Sequence, residues 1–181
     1  KLEIYASPTK IEGEVTEPRV GRPAALDDER MVRIGARRLA SAYGGVVEAE
    51  SFLLDRTPVT NDEYASFVRA THATPPAHWL AGEPPAPALD HPVVGVSLEE
   101  ARRYAAWCQK RLPTSAEWEA AARGPAATAF PWGDAWARER CHHAGEGTAA
   151  VDDHPEGAST EGVLDLVGNV WEWSEADARL A

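Results

Sequence analysis

Lysine, cysteine and methionine are all scarce in this 181-residue chain, and each scarcity excludes something. Lysine occurs only at Lys1, Lys10 and Lys110, and acidic residues outnumber basic ones 29 to 18, for a net charge of -11. A surface that grips phosphate backbones needs the opposite sign, so general nucleic-acid binding is excluded and no nucleic-acid partner is expected. Two cysteines, Cys108 and Cys141, are too few for a disulfide framework; a single bridge and the redox compartment stay open. No apolar run reaches the length of a membrane span, so no membrane insertion is expected. The chain has no initiator Met and no basic segment leading into an apolar one, so Lys1 is expected to begin a processed or trimmed product. The GxSxG nucleophile turn and the GxGxxG and GxxxxGK phosphate loops are missing as well.

The composition is otherwise that of an ordinary globular domain, 44% hydrophobic and 26% charged, long enough to bury roughly 70% of its unfolded surface. Residues 1–30 lack a sustained period and carry Pro8, Pro18 and Pro23; they read as an arm or linker, with a short strand around Leu2 to Tyr5. From Met31 the text alternates like strands, MVRIGARRL and then GGVVEAESFLLD, with Gly44-Gly45 marking a turn. Three helix starts follow, each an S/T-x-x-E box: Thr60 with Glu63, Ser97 with Glu100, and Thr114 with Glu117. Pro113 disfavours helix at Leu112, which predicts that the second helix ends near Lys110. Arg123-Gly124-Pro125 predicts the end of the third. The stretch from Thr74 to Pro92 is dense in proline, and the chain beyond Gly124 is aromatic and loop-rich. These signals give an α+β domain with two to three short helices, small antiparallel sheets and much ordered loop.

The segment GVLDLVGNVWEWSEAD carries the densest chemistry. Asp165 and Glu172 flank a Gly168-Asn169 turn, so side-chain and carbonyl oxygens can converge on one hard cation; calcium takes 6–8 such oxygens. The bland alternative is a capping Asp and a solvated Glu. Cys141, His142, His143, Asp152, Asp153 and His154 supply zinc or iron ligand types, but neighbours in an extended chain point to opposite sides, which favours polar loop packing. The seven tryptophans read chiefly as large core wedges, with one or two left to stack on a ligand.

Taken together, FLLDRTPVTNDEYASFVRAT, HPVVGVSLEEARRYAAWCQKRLPTSAEWEAAARG, FPWGD and GVLDLVGNVWEW resemble, in order, the formylglycine-generating enzyme or sulfatase-modifying factor family, over roughly Met31 to Glu175. The resemblance implies an elaborated C-type-lectin-like fold over residues 31–181. It also implies a structural calcium ion held by Asp165, Gly168, Val170 and Glu172, the glycine and valine through their carbonyls. A second family calcium site uses an Asn that the loop RCHHAGEGTAAV does not provide. Leu98 and Ser115 stand where the family more often has Trp and Glu. The family's enzymes oxidise a substrate cysteine to formylglycine with copper held by two cysteines. That pair lies downstream of the WEW motif, beyond an RGGSW-like segment not found in these residues. The expectation is therefore a non-catalytic, calcium-stabilised display module for a protein or small-molecule ligand, comparable to retroelement-diversified variable proteins. Its contact residues would be Trp171, Trp173, Ser174 and Asp177. The alternative is the copper-dependent oxidase whose catalytic tail lies outside this sequence.

Overall fold

The computed structural model describes residues 5–6 and 30–176. Of the strand expected at Leu2 to Tyr5 it describes only the end, as β1 (Tyr5–Ala6); the rest of the arm lies outside the described residues. β1 and β2 (Met31–Ile34) both pair antiparallel with β5 (Phe52–Asp55), giving a three-stranded sheet in the order β1-β5-β2. β3 (Arg37–Ala40) and β4 (Val46–Ala49) form a separate hairpin in which Leu39 lies opposite Val47. The Gly44-Gly45 signal holds: φ is 95° and 82° there, where L-residues are strained. The period-2 pattern is visible in burial, since Val47 and Ala49 of β4 turn inward while Val46 and Glu48 face out.

All three helix starts are closed capping boxes, in which the Ser or Thr oxygen accepts from the N3 amide and the N3 Glu accepts from the cap amide. They open α1 (Asn61–Thr71), α2 (Leu98–Trp107) and α3 (Ser115–Arg123). α2 stops at Trp107, three residues before the predicted end. Gln109 takes the left-handed conformation (φ 58°), its N–H donates to the Ala106 carbonyl, and Lys110 N–H donates to Ala105. This is a Schellman closure, in which local hydrogen bonding stops the helix before Pro113 can. α3 ends at Gly124, as the Arg-Gly-Pro signal requires.

Two cores result. Between α1 and α2 an aromatic set packs edge and face: Tyr64 stacks on Tyr104 at 5.4 Å, and Phe67 and Trp79 meet those rings edge-on at 5.5 and 6.2 Å. Between the strands and α3, Ile34, Phe52 and Leu54 meet Ala120 and Ala121, whose small side chains let the helix approach closely. A buried ion pair, Lys110 to Asp55 at 2.6 Å, ties the end of α2 to β5. The core-wedge expectation holds for only part of the tryptophans: Trp79 is buried and Trp107 and Trp118 pack half-buried against the two cores, while Trp136, Trp171 and Trp173 are 50%, 96% and 40% exposed. Six of the seven sit in or next to loops, where turn geometry rather than strand or helix period sets their direction. Among the described residues no helix is long and apolar enough to cross a membrane.

Candidate functional site

The segment 163–175 is anchored first by its apolar residues. Val163 and Leu166 are buried against the strand core, and Leu164 N–H donates to the Arg56 carbonyl at the end of β5 at 2.8 Å. Between them Asp165, also buried, adopts φ 59°, and Gly168 and Asn169 follow at 85° and 53°. Three left-handed residues in five coil the chain into a tight loop, a conformation that Gly, Asn and Asp tolerate best. Gly168 is required for space as well as angle: a Cβ there would sit 2.5 Å from the His142 carbonyl oxygen.

Asn169 is the residue that pattern reading missed. Its amide donates to the Asp165 Oδ2 (2.8 Å) and to the Ala149 carbonyl (3.1 Å), its Oδ1 accepts from Ala149 N–H (3.0 Å), and its own N–H donates to His142 O (2.7 Å). One side chain thus fixes the loop and clips the 141–149 segment beside it. A Gly-Asn pair signals a turn, but nothing local shows that the amide reaches twenty residues back along the chain.

Of the four expected calcium ligands, Gly168, Val170 and Glu172 line one groove, and Asp165 lies buried behind it. Glu172 accepts a hydrogen bond at Oε2 from the Trp118 indole, and Asp165 accepts from Asn169. The donor set is two carboxylates and two carbonyls, all hard oxygen, which suits calcium rather than a soft ion. A carboxylate offers about four lone-pair sites, so it can accept from a neighbour and still turn oxygen toward a cation.

The Cys141 to His154 run does not assemble. Cys141 is buried and His143 exposed, His142 and His154 stand 6.5 Å apart ring to ring, and no group of three His, Cys, Asp or Glu able to hold a metal occurs among the described residues. The two cysteines do not fit a copper pair either. Cys108 sits in the aromatic core with its thiol pushed up to about 12, chiefly by burial. Cys141 lies against the 168 loop, its thiol raised by burial and by the Asp165 carboxylate. Both are free thiols and both are buried.

The groove itself encloses about 870 Å³ between the β3–β4 turn, the start of α3 and the 166–174 strap. Tyr43 (89% exposed) and Trp171 (96% exposed) stand on its walls with Trp118. The turn that carries Tyr43 is held from behind. The Glu119 carboxylate accepts from Ser41 Oγ (2.8 Å) and Ala42 N–H (2.6 Å), and Arg123 pairs with it at 3.0 Å. Of the expected contact residues, Trp171 and Ser174 face the groove. Trp173 instead donates its indole N–H to the Val96 carbonyl at 3.0 Å, and Asp177 lies outside the described residues.

This architecture, two small antiparallel sheets and three short capped helices under long ordered loops, is the α+β formylglycine-generating-enzyme-type fold. The family model described as a sulfatase-modifying factor enzyme 1-like domain matches residues 24–179, and the chain belongs to that family. It is similar to the formylglycine-generating enzyme of Thermomonospora curvata, 35% identical over 70% of this chain and 60% of that protein. It is also similar to the hercynine oxygenase of Mycobacterium tuberculosis, 31% identical over 87% of this chain and 42% of that protein. A shorter match, 38% identical over 51% of this chain and 35% of the relative, is to the inactive C-alpha-formylglycine-generating enzyme 2 of Bos taurus. The chain thus spans less than two thirds of the length of each of these relatives.

Proposed function

We propose that this chain is a ligand-binding module of the family, stabilised by calcium, in which the groove between the β3–β4 turn and the 166–174 strap recognises a protein or small-molecule ligand. The observation that carries the reading is the exposure of Trp171 and Tyr43 on one groove. Large rings left in water are costly to a monomer and bind at low entropic cost, which is why they serve as anchors. No lysine or arginine occurs among the groove's described lining residues, so an anionic ligand finds no ammonium or guanidinium partner there. In this reading Asp165 and Glu172 hold calcium with the Gly168 and Val170 carbonyls, and the ion supplies only rigidity, limiting the ordering cost of binding. A lectin-like display role of the kind retroelement-diversified proteins play fits a rigid loop segment with exposed contact side chains.

A second reading, favoured by the activity that names the Thermomonospora curvata relative, is an oxidase that converts a substrate cysteine to formylglycine. Cys108 and Cys141 are buried in separate places and do not supply its copper pair, so that reading places the catalytic thiols outside these residues.

The first of two measurements tests the calcium site and the second separates the readings. Glu172→Ala should lower the melting temperature by several degrees in millimolar calcium and by much less in excess chelator. Equal losses in both would overturn the calcium site. Fluorescence titration against a panel of peptides and glycans should show saturable binding that Trp171→Ala abolishes. Aldehyde formation on a cysteine peptide, with copper supplied and no such binding, would support the oxidase.

A further inference from the structure

The strap that carries Trp171 is tied down at its far end by a residue that takes no part in the groove. At Glu175 the chain enters a parallel bridge with Thr114: Glu175 N–H donates to the Pro113 carbonyl (2.7 Å) and Ser115 N–H to the Glu175 carbonyl (3.1 Å). Ser115 Oγ adds a contact to the same carbonyl at 3.3 Å and lies 3.2 Å from Ser174 Oγ. The Glu175 side chain turns the other way, onto α2, where Arg102 Nε and Nη2 each donate to one carboxylate oxygen at 2.6 Å. This is the two-pronged arginine–carboxylate fork, whose geometry restricts orientation as well as distance. The pair joins residues 73 apart in sequence, and α2 contributes nothing to the groove wall. At the other end the strap is held by Asn169, and between the two ends Glu172 accepts from the Trp118 indole and Trp173 donates to the Val96 carbonyl, so Trp171 is the exposed crest of a strap pinned on both sides of it.

We infer that Arg102 is a positioning residue for the recognition groove: by gripping both carboxylate oxygens of Glu175 it fixes the C-terminal end of the strap and so helps set where Trp171 stands. Because Arg102 acts only through Glu175, removing it leaves the groove's chemistry intact and loosens its wall. The inference rests on the groove being the recognition site, but its test does not use a ligand. Hydrogen exchange measured by mass spectrometry on the full chain, in the same buffer for all variants, reads the strap directly. Arg102→Ala and Glu175→Gln should each speed exchange severalfold at the Glu175 and Ser115 amides, the two that the bridge protects, while peptides from α1 and β5 change by less than about twofold. Arg102→Lys, which keeps the charge and loses the fork, should fall between. Arg102→Glu should loosen the strap, and adding Glu175→Arg to it should restore most of the protection. An unchanged strap in Arg102→Ala, equal acceleration in every peptide, or no recovery in the charge swap overturns the inference. Loss of ligand binding in Trp171→Ala is read separately and bears on the groove alone.

Discussion

At the scale of single residues, the site depends on backbone angles that most side chains resist. Gly168 and Gly45 have nearly the same positive φ, 85° and 82°, but only Gly168 is crowded; nothing lies within 4 Å of a Cβ built on Gly45. Gly45→Ala should therefore cost only the left-handed penalty, about 1–2 kcal/mol. Gly168→Ala adds a clash with the His142 carbonyl and should cost clearly more, read as the larger drop in denaturant midpoint with an unchanged slope. Glycine at 168 was readable as a turn signal, and the candidate cation ligands around it were named by residue type. Its need for space was not readable, because the obstructing carbonyl belongs to a loop 26 residues earlier. Asn169 was missed for the same reason: its value lies in partners at Ala149 and His142.

At the scale of elements, the helices owe their starts to local chemistry and their placement to the two cores. Thr114 and Glu117 close the box that opens α3, and Arg111 grips Glu117 through two hydrogen bonds at 2.7 and 2.6 Å. Burial alone would raise the Glu117 carboxyl, but the hydrogen bonds and charge of Arg111, with the Thr114 amide, outweigh it and hold the group below its usual range. A carboxyl lowered in the folded state contributes stability that is present above its unfolded value, about 4.3, and is lost as pH falls through the folded one. Glu117→Gln should therefore be less stable than the parent at pH 7 and approach it as pH drops toward 3, followed by thermal unfolding. Thr114→Ala removes the cap and one of the hydrogen bonds that lower Glu117, and should cost about 1 kcal/mol at pH 7. The capping boxes were legible because a cap is a four-residue pattern with its own hydrogen bonds. The early stop of α2 was not, since it rests on Gln109 taking an angle no sequence rule assigns to glutamine.

At the scale of the whole molecule, both thiols are shut away: Cys108 in the aromatic core between α1 and α2, and Cys141 against the 168 loop. Cys108 and Cys141 are 2% and 3% exposed, and Cys108 is pushed up to about 12. A thiol is reactive as thiolate, so the native protein at pH 8 should give almost no colour with a disulfide reagent over an hour. Both thiols should react at once in guanidinium. Rapid native labelling of either would mean the core around it opens far more often than its packing implies.

The sequence alone determined what depends on near neighbours: three capped helices, the hairpin turn at Gly44-Gly45 and the α+β class. These are set by hydrogen bonds and periodicities spanning a few residues, and they survive any tertiary arrangement. Tertiary structure decided which tryptophans face water, that Trp171 and Tyr43 share one groove, that Trp173 turns away to Val96, and that Arg102 reaches Glu175. Each of those is a contact between segments far apart in the chain, fixed by the packing of the two cores, and no local pattern carries that information.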